Sequence, residues 1–401
     1  MNNRLSLKND FPLLRDNPSL VYLDSAATSQ KPVVVIDAIR NFYQHQNGPV
    51  HRGTYQLAEH ATVLYETARQ TVAAYIGART HEIVFTSNAT DAINMVAASW
   101  AEYHIKEGDE VLISPLEHHA NFLVWQRLCI RKRAELRLLP IDNDGSLAYE
   151  QFAPYFTERT KLVAILDVSH ALGISVDVER VMQYARAVNA RVLIDACQSV
   201  PHKTWHMAAH KPDFLVFSGH KMGGPTGIGV LYCAEHMHEQ LEPYKVGGGM
   251  VFSASITQSS WRPMPHLLEA GSPSVAQAVG LAQAVAYLQT IDSLQLHAHY
   301  RILMKKLIDG LRAMPKIRLL GPVQQLYDAH LLSFVHADMH FHDVGAFLDS
   351  RGICVRTGNY CAQPLATRLG IDGSVRVSLY VYSAETDIEQ LLIALDQIQS
   401  F

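Results

Sequence analysis

The sequence predicts an α/β fold in which a mainly parallel, mixed sheet is covered by helices on both faces. Between residues 82 and 232, short apolar runs typical of buried parallel strands alternate with amphipathic helices. The 401 residues suffice for a large core and for two domains. Near residue 289 the pattern changes to a smaller α+β unit. We therefore expect a large domain over residues 20–288, and a small domain formed by residues 1–19 and 289–401.

The composition is that of an ordinary globular protein and disfavours several classes of function. Apolar residues make up 48% of the chain, charged residues 18%, and the formal net charge is −4. Such a balance gives no basic surface for nucleic acid, so we expect no nucleic-acid partner. No apolar stretch approaches the roughly 20 residues of a membrane helix, and the N-terminus has no apolar signal segment. We therefore expect a cytoplasmic protein without a membrane partner.

The five cysteines indicate free thiols in a reducing compartment. They are odd in number, widely spaced and contain no C-x-x-C pair, which disfavours disulfides and a structural zinc. Cys361 is flanked by polar residues and precedes Pro364, so we expect it on an accessible loop. The many histidines lack a chelating spacing, and we expect no metal site.

The stretch from Phe214 to Tyr232 contains a candidate reactive lysine. An apolar strand is followed by Ser218, His220 and Lys221, and then by a glycine-rich turn. A lysine at the end of a strand is well placed to form a Schiff base with a carbonyl cofactor, while hydroxyl and N–H groups hold an anion nearby. The alternative is a surface lysine beside a hairpin turn.

Other polar groups also follow predicted strands. Thr90 lies where a helix begins, a position that suits a phosphate, an N-cap formed by Thr90 or Asn88, or both at once. Asp195 closes an apolar run, where it can either bond a protonated ring nitrogen or cap the next helix, and Gln198 lies just beyond it. His118 and His119 point in different directions, so one imidazole could lie flat on an aromatic ring.

Several cationic side chains are candidates for binding an anionic substrate. His51 and Arg52 lie on a glycine-containing loop, where they either meet a substrate or are solvated. Arg376 lies on an alternating strand and can clamp a carboxylate through two hydrogen bonds or form a structural salt bridge. Arg356 precedes Cys361 by five residues, where a cation would favour the thiolate.

In order along the chain, these segments resemble pyridoxal-phosphate-dependent cysteine desulfurases of the group II type (the SufS and CsdA kind). These enzymes belong to the class V aminotransferase family of fold-type I. The resemblance covers nearly the whole chain and rests on Tyr22-Leu-Asp-Ser-Ala-Ala-Thr28, His51-Arg-Gly53, Glu117-His-His-Ala-Asn121, Asp195-x-x-Gln198, Ser218-Gly-His-Lys-x-x-Gly-Pro-Thr-Gly-Ile-Gly229, Gly247-Gly-Gly249, Glu269-Ala-Gly-Ser-Pro273 and Arg356-Thr-Gly-x-x-Cys-Ala362.

The resemblance implies a role for each candidate residue. Pyridoxal 5'-phosphate would be carried by Lys221, with its ring nitrogen on Asp195 and its phenolic oxygen on Gln198, and with His118 stacked on the ring. The residues implied for its phosphate are Thr90, Ser218, His220 and, from the neighbouring subunit of a homodimer, Ser272. The residues implied for the substrate are Arg376, Arg356, His51 and Arg52. Lys221, Cys361 and His118 would be the catalytic residues.

The implied reaction converts L-cysteine to L-alanine. Sulfur passes to Cys361 as a persulfide and then to an acceptor protein of the SufE, CsdE or SufU type; L-selenocysteine is a further substrate that the family implies. A second interpretation keeps the cofactor without the persulfide, as in an aminotransferase, epimerase or β-lyase. A third is a catalytically silent interaction partner with the same fold, which the Lys221, Asp195 and Gln198 set argues against.

The sequence departs from the family pattern in the segment Ser169-His-Ala-Leu-Gly173. His170 replaces an asparagine that the family places near the phenolic oxygen of the cofactor and the substrate carboxylate. We therefore expect His170 among the cofactor-binding residues. Ala89 and Ser272 each replace a threonine, and the loop after Gly247-Gly-Gly249 is one residue shorter than usual.

Overall fold

The structure, a computed structural model, describes residues 7–398. Within this range the strands form one seven-stranded sheet, one four-stranded sheet and two two-stranded pairs. In chain order the strands are β1 (Val21–Tyr22), β2 (Ile83–Thr86), β3 (Glu110–Ile113), β4 (Glu135–Leu138), β5 (Thr160–Leu166), β6 (Arg191–Asp195), β7 (Phe214–Ser218), β8 (Gly229–Cys233), β9 (Val251–Ala254), β10 (Ser259–Trp261), β11 (Ile317–Leu320), β12 (Leu331–His336), β13 (Ile353–Cys354), β14 (Arg356–Gly358) and β15 (Ser374–Ser378).

The helices surround these sheets, and among the described residues none combines the length and apolarity needed to cross a bilayer. Two helical stretches continue as π-helical turns, Phe42–Gln46 after α2 and Ala97–Ala101 after α4. The α-helices are α1 (Pro12–Arg15), α2 (Val33–Asn41), α3 (Gln56–Tyr75), α4 (Ala89–Val96), α5 (Glu102–His104), α6 (His119–Lys132), α7 (Val178–Ala187), α8 (Met207–His210), α9 (Val275–Gln289), α10 (Ser293–Arg312), α11 (Val323–Leu326), α12 (Phe341–Asp349), α13 (Gln363–Arg368) and α14 (Glu385–Ile398).

The seven-stranded sheet is mainly parallel and has the strand order β2-β8-β7-β6-β5-β3-β4. Among the described strands of this sheet, β8 alone runs antiparallel to both of its neighbours, β2 and β7. Side chains of the central strands are buried on both faces, which explains why these strands read as continuous apolar runs. In such a sheet, side chains that follow β3, β5, β6 and β7 meet at one edge, where ligands bind.

The four-stranded sheet is antiparallel, with the order β11-β12-β15-β14. The short strand β1 pairs in parallel with β13, so that Val21 lies beside Ile353 and residues near the start of the chain join those near its end. An isolated bridge between Asp24 and Ser378 extends this contact to β15. The segment after β1 is thereby held between the seven-stranded sheet and the four-stranded sheet.

The α/β class and the mainly parallel sheet agree with the sequence prediction. Strands β2 to β8 and the helices between them fall in the range 82–233, in agreement with the predicted alternation, and α9 ends at Gln289, beside the predicted boundary. The division into two domains stays a prediction, and its residues 1–6 and 399–401 lie outside the described range.

Candidate functional site

A cavity of about 510 Å³ opens where the parallel strands of the large sheet end. It is lined by residues of the seven-stranded sheet, of the four-stranded sheet and of the segment after β1. The predicted site residues found there are Thr90, His118, His170, Asp195, Gln198, Ser218, His220, Lys221, Arg356, Cys361 and Arg376.

Three predicted site residues lie elsewhere in the same chain. His51, Arg52 and Ser272 line a second, open cavity of about 860 Å³, together with glycines of the segment 248–249 and the start of α9. The chain alone therefore does not bring these three residues to the first cavity. The family resemblance assigns Ser272 to the site of a neighbouring subunit.

Lys221 ends a short 3₁₀ turn directly after β7. Among residues 7–398 its amine has no hydrogen-bond partner, and it faces the cavity. The carbonyl oxygen of the preceding residue, His220, accepts hydrogen bonds from the Ser29 amide at 3.0 Å and the Lys31 ammonium at 2.9 Å. Ser29 also accepts a hydrogen bond from the Gly223 amide through its hydroxyl at 2.8 Å. The backbone on both sides of Lys221 is thus fixed by the segment that follows β1.

Lys31 was not identified from the sequence, although it helps to fix the backbone beside Lys221. Its side chain is mostly buried, and burial lowers the pKa of Lys31 to about 8. Its amine donates hydrogen bonds to two carbonyl oxygens, those of Ser29 and His220. No residue motif pointed to this contact, since it joins positions 189 residues apart.

Asp195 and Gln198 form the wall that follows β6. The Asp195 carboxylate is 7% exposed and accepts a hydrogen bond from the Cys197 amide at 3.0 Å. Gln198 donates to the Ala26 carbonyl at 2.9 Å, which fixes its side chain against the segment after β1. Both residues line the cavity.

The opposite end of the cavity is built around the start of α4. The Asn88 side chain caps this helix by accepting from the Asp91 amide at 2.9 Å, so Asn88 rather than Thr90 is the N-cap. The Ser218 hydroxyl accepts from the Ala89 amide at 2.9 Å. Thr90 adds an exposed hydroxyl in the first turn. Hydroxyls and the first amides of a helix together suit a bound anion.

His118 is the N-cap of α6, because its Nδ1 accepts a hydrogen bond from the Ala120 amide at 3.1 Å. In the neutral ring the proton therefore lies on Nε2. Burial, with a further contribution from the Lys221 ammonium, lowers the pKa of His118 to about 4. The ring packs edge-on against His170, with 5.0 Å between centroids. A neutral, fixed imidazole of this kind offers a flat face to an aromatic ligand.

Arg376 is a buried cation, 3% exposed, at the base of the cavity. Its guanidinium donates to the His170 carbonyl at 2.7 Å and to the Asp24 carboxylate at 3.3 Å. Asp24 also pairs with Arg356 at 2.7 Å. Within the described part of the chain, Nε of Arg376 is buried without a hydrogen-bond partner, and the residue lines the cavity.

Asp24 is a functional candidate that the sequence interpretation missed. Its signal was present, because the aspartate follows directly on the apolar residues of β1 in the motif Tyr22-Leu-Asp-Ser-Ala-Ala-Thr28. Its partners, Arg356 and Arg376, lie more than 300 positions further along, so their pairing could not be predicted from spacing.

Cys361 is exposed, as predicted, whereas Cys129, Cys197 and Cys233 are buried. It lies between β14 and α13, and both Tyr360 and Cys361 have left-handed backbone conformations, with φ of 53° and 62°. Within the range 7–398 no group of three or more His, Cys, Asp or Glu side chains is arranged to hold a metal ion.

Comparison with known proteins identifies the family. Residues 21–391 match the family model described as aminotransferase class-V. The chain belongs to this family. A relative named probable cysteine desulfurase, from Streptomyces coelicolor, is 42% identical over 99% of this chain and 97% of its own length.

Two solved structures of cysteine desulfurases are similar to this class-V chain. An apo structure from Thermococcus onnurineus NA1 has a TM-score of 0.94 and 35% identity over 98% of this chain and 97% of that one. The cysteine desulfurase CsdA from Escherichia coli, in an S-sulfonic acid form, has a TM-score of 0.90 and 34% identity over 97% and 96%. The predicted family and fold-type I architecture are therefore confirmed.

The neutral histidines of the site predict a loss of stability in acid. Burial lowers the pKa of His118 and of His220 to about 4, from 6.5. Between pH 6.5 and 4 the unfolded chain takes up protons that the folded chain does not, so the free energy of unfolding falls as pH falls through this window. One such histidine contributes at most about 1.4 kcal/mol per pH unit, less where its ring is partly exposed.

The measurement is urea unfolding at pH 7, 6 and 5 for the wild type and for His220→Asn. An asparagine side chain does not titrate, so we expect a shallower pH dependence of the free energy of unfolding in this variant. An identical dependence in both proteins would show that His220 is protonated equally easily in the folded and unfolded chains.

Proposed function

We propose that this class-V protein is a pyridoxal-phosphate-dependent cysteine desulfurase that uses Lys221 and Cys361. The observation that carries the proposal is the cavity itself. The uncommitted amine of Lys221, the exposed thiol of Cys361 and the buried guanidinium of Arg376 all face one space of about 510 Å³. An amine for a carbonyl cofactor, a nucleophile for sulfur and a cation for a carboxylate are the groups that this reaction needs.

The cavity residues fit pyridoxal 5'-phosphate. Asp195 offers a carboxylate to the pyridinium nitrogen, and Gln198 offers an amide to the phenolic oxygen. His118 offers the neutral ring face described above. The start of α4, with Thr90, Ser218 and His220, would hold the phosphate. When bound, the cofactor supplies an electron sink for the carbon atoms of an amino-acid substrate.

The chain's own residues bind and orient L-cysteine. Arg376 binds the substrate carboxylate, because its guanidinium lines the cavity in a buried, low-dielectric position where such a pair is strong. Arg356 stands at the more exposed side of the same network. The amine of Lys221, once free, removes the proton from the α-carbon of the substrate. Proton transfer by a lysine fixed on both sides of its backbone is favoured by orientation.

Cys361 then takes the sulfur. Its thiolate attacks the substrate sulfur, a new S–S bond forms, and the carbon–sulfur bond of the substrate breaks. The electron pair of that bond stays with the β-carbon, which gains the proton that the Cys361 thiol gave up. The Lys221 ammonium returns its proton to the α-carbon, so the products are L-alanine and a Cys361 persulfide. The persulfide passes its outer sulfur to an acceptor thiol by exchange. No external oxidant or reductant is required.

Replacing Cys361 by serine tests this step. In Cys361→Ser the formation of alanine from cysteine should fall by at least 100-fold, because a hydroxyl does not accept sulfur as a thiolate does. Alanine and sulfide are measured in the same reaction. In the wild type, mass spectrometry should show a mass increase of about 32 Da, which corresponds to about one persulfide sulfur per chain.

Cys354→Ser is the matched control, because Cys354 is a half-buried thiol on the neighbouring strand β13, outside the cavity lining, and its replacement should leave activity unchanged. Unchanged production of alanine by Cys361→Ser would contradict the persulfide step and favour a lyase or aminotransferase on the same fold.

We also propose that the active protein is a homodimer with sites shared between subunits. Ser272, His51 and Arg52 lie on a cavity of their own, which would face the first cavity of a second copy. Nearby side chains of the α2–α3 region are apolar and exposed, including Tyr43 at 57% and Val63 at 60%. Self-association would bury this surface.

A mixing experiment tests the shared site. Cys361→Ser and Arg52→Ala are each expected to be poorly active, but a hybrid of the two has one site with every residue intact. Random mixing should then restore about a quarter of the wild-type activity in a two-fold dimer. No gain above the separate variants, after exchange verified by sedimentation, would place Arg52 in the site of its own chain.

We further propose a protein acceptor of the SufE, CsdE or SufU type. The exposure of Cys361 supports it, since a partner's thiol can reach the persulfide without opening the fold. Adding such an acceptor should raise the turnover of cysteine several-fold, whereas the acceptor with its reactive cysteine replaced should not. Equal stimulation by both forms would show that thiol exchange is not the cause.

A further inference from the structure

The loop that carries Cys361 has an unusual backbone. Tyr360 and Cys361 both adopt left-handed conformations, with φ of 53° and 62°. Side chains other than glycine disfavour this region, and two such residues in succession persist only where the surroundings enforce them. The loop's own contacts are modest: the Asn359 side chain accepts from the Cys361 amide at 3.2 Å. The enforcing contacts should therefore come from outside the loop.

Two hydrogen bonds from outside the loop hold its carbonyl groups. The Tyr360 carbonyl lies 3.0 Å from Nε2 of His170, and the Cys361 carbonyl accepts from the His119 amide at 2.8 Å. Because a carbonyl oxygen can only accept, the His170 ring is the donor of the first bond. His170 follows β5, and His119 begins α6 after β3, so both donors are placed by strands of the seven-stranded sheet. The loop follows β14 of the four-stranded sheet.

The segment that presents His170 is itself tightly packed. Gly173, four residues after the start of the turn at Ser169, has φ of +79°, and a side chain there would meet the Leu331 carbonyl at 2.0 Å. The His170 ring is 5% exposed and rests against His118. Burial, with the neighbouring charges of the cavity, holds the pKa of His170 well below its usual range. The donor is thus a fixed, neutral imidazole.

We propose that the His170 ring and the His119 amide clamp the left-handed Tyr360–Cys361 pair and so aim the Cys361 thiol at the substrate sulfur. His170 is then a positioning residue for the nucleophile, and its predicted place among the cofactor-binding residues stays a prediction. This inference rests on the proposed role of Cys361. Unlike the proposed role of Cys361, the clamp predicts an effect on the loop itself, which is present even when no substrate is turned over.

Substitution of the His170 side chain isolates the ring contact. Arg376 donates to the main-chain carbonyl of His170, so that hydrogen bond survives in every variant. His170→Gln retains a donor at nearly the reach of Nε2, and His170→Met has the same length without a donor. In the holoenzyme we expect His170→Met to lower kcat for alanine formation about tenfold with KM within about threefold. His170→Gln should stay within about threefold in both.

The His119 contact offers an independent second arm. His119 is the first residue of α6, where proline fits a helix, and His118 before it is already extended with φ −64° and ψ 148°. His119→Pro therefore removes the donor amide with little harm to the helix, whereas His119→Ala keeps the amide and loses only the side chain. We expect a loss of kcat in His119→Pro and near wild-type turnover in His119→Ala.

Hydrogen exchange of the peptide covering residues 356–363 separates this inference from the proposed function. Loss of a clamp should accelerate exchange there by several-fold in His170→Met and His119→Pro, and not in the paired controls. Equal exchange and equal kcat across each pair would overturn the clamp. If Cys361→Ser kept full alanine production, the proposed function would fail, while the exchange result would still report on the clamp.

Discussion

The buried guanidinium of Arg376 is the contact through which the parts of this molecule are joined. It lies on β15 of the four-stranded sheet. It donates hydrogen bonds to the His170 carbonyl, which follows β5 of the seven-stranded sheet, and to the Asp24 carboxylate, which follows β1. Its guanidinium also lies 4.9 Å from the centre of the Tyr360 ring. A buried cation is tolerated only with such partners, because an unpaired charge in this position would cost several kcal/mol. The cavity therefore has its shape only when both sheets and the segment after β1 are in place.

Much of this arrangement follows from local features of the sequence. Buried parallel strands are continuous apolar runs, so β6 and the end of β7 could be recognised together with Asp195 and Lys221 that follow them. The helix α7 is bounded by a capping aspartate, Asp177, which makes its start visible. The accessible loop of Cys361 followed from its polar neighbours. In each case the determining interactions lie within a few residues of one another.

The remainder could not be predicted because it depends on contacts between distant segments. The π-helical turn at Ala97–Ala101 has no signal in the periodicity of its helix. The pairing of Asp24 and the donors that hold the His220 carbonyl require knowledge of how β1 lies against the rest of the fold. His170 is an instructive case: its departure from the family pattern marked the position as unusual, but only the structure relates its ring to the Tyr360 carbonyl.

The pairing of Asp24 with Arg356 and Arg376 also has a consequence for how the molecule is made. These contacts close loops of 332 and 352 residues. Strand β1 likewise cannot pair until β13 has been synthesised. A ribosome has to release nearly the whole chain before they can form, so Asp24 and β1 remain without these particular partners through most of synthesis. Contacts of such long range slow folding, since the entropy of closing the loop is lost before the contact contributes. The site is thus among the last parts of the chain to assemble, and the cofactor can be captured in its final surroundings only after translation has ended.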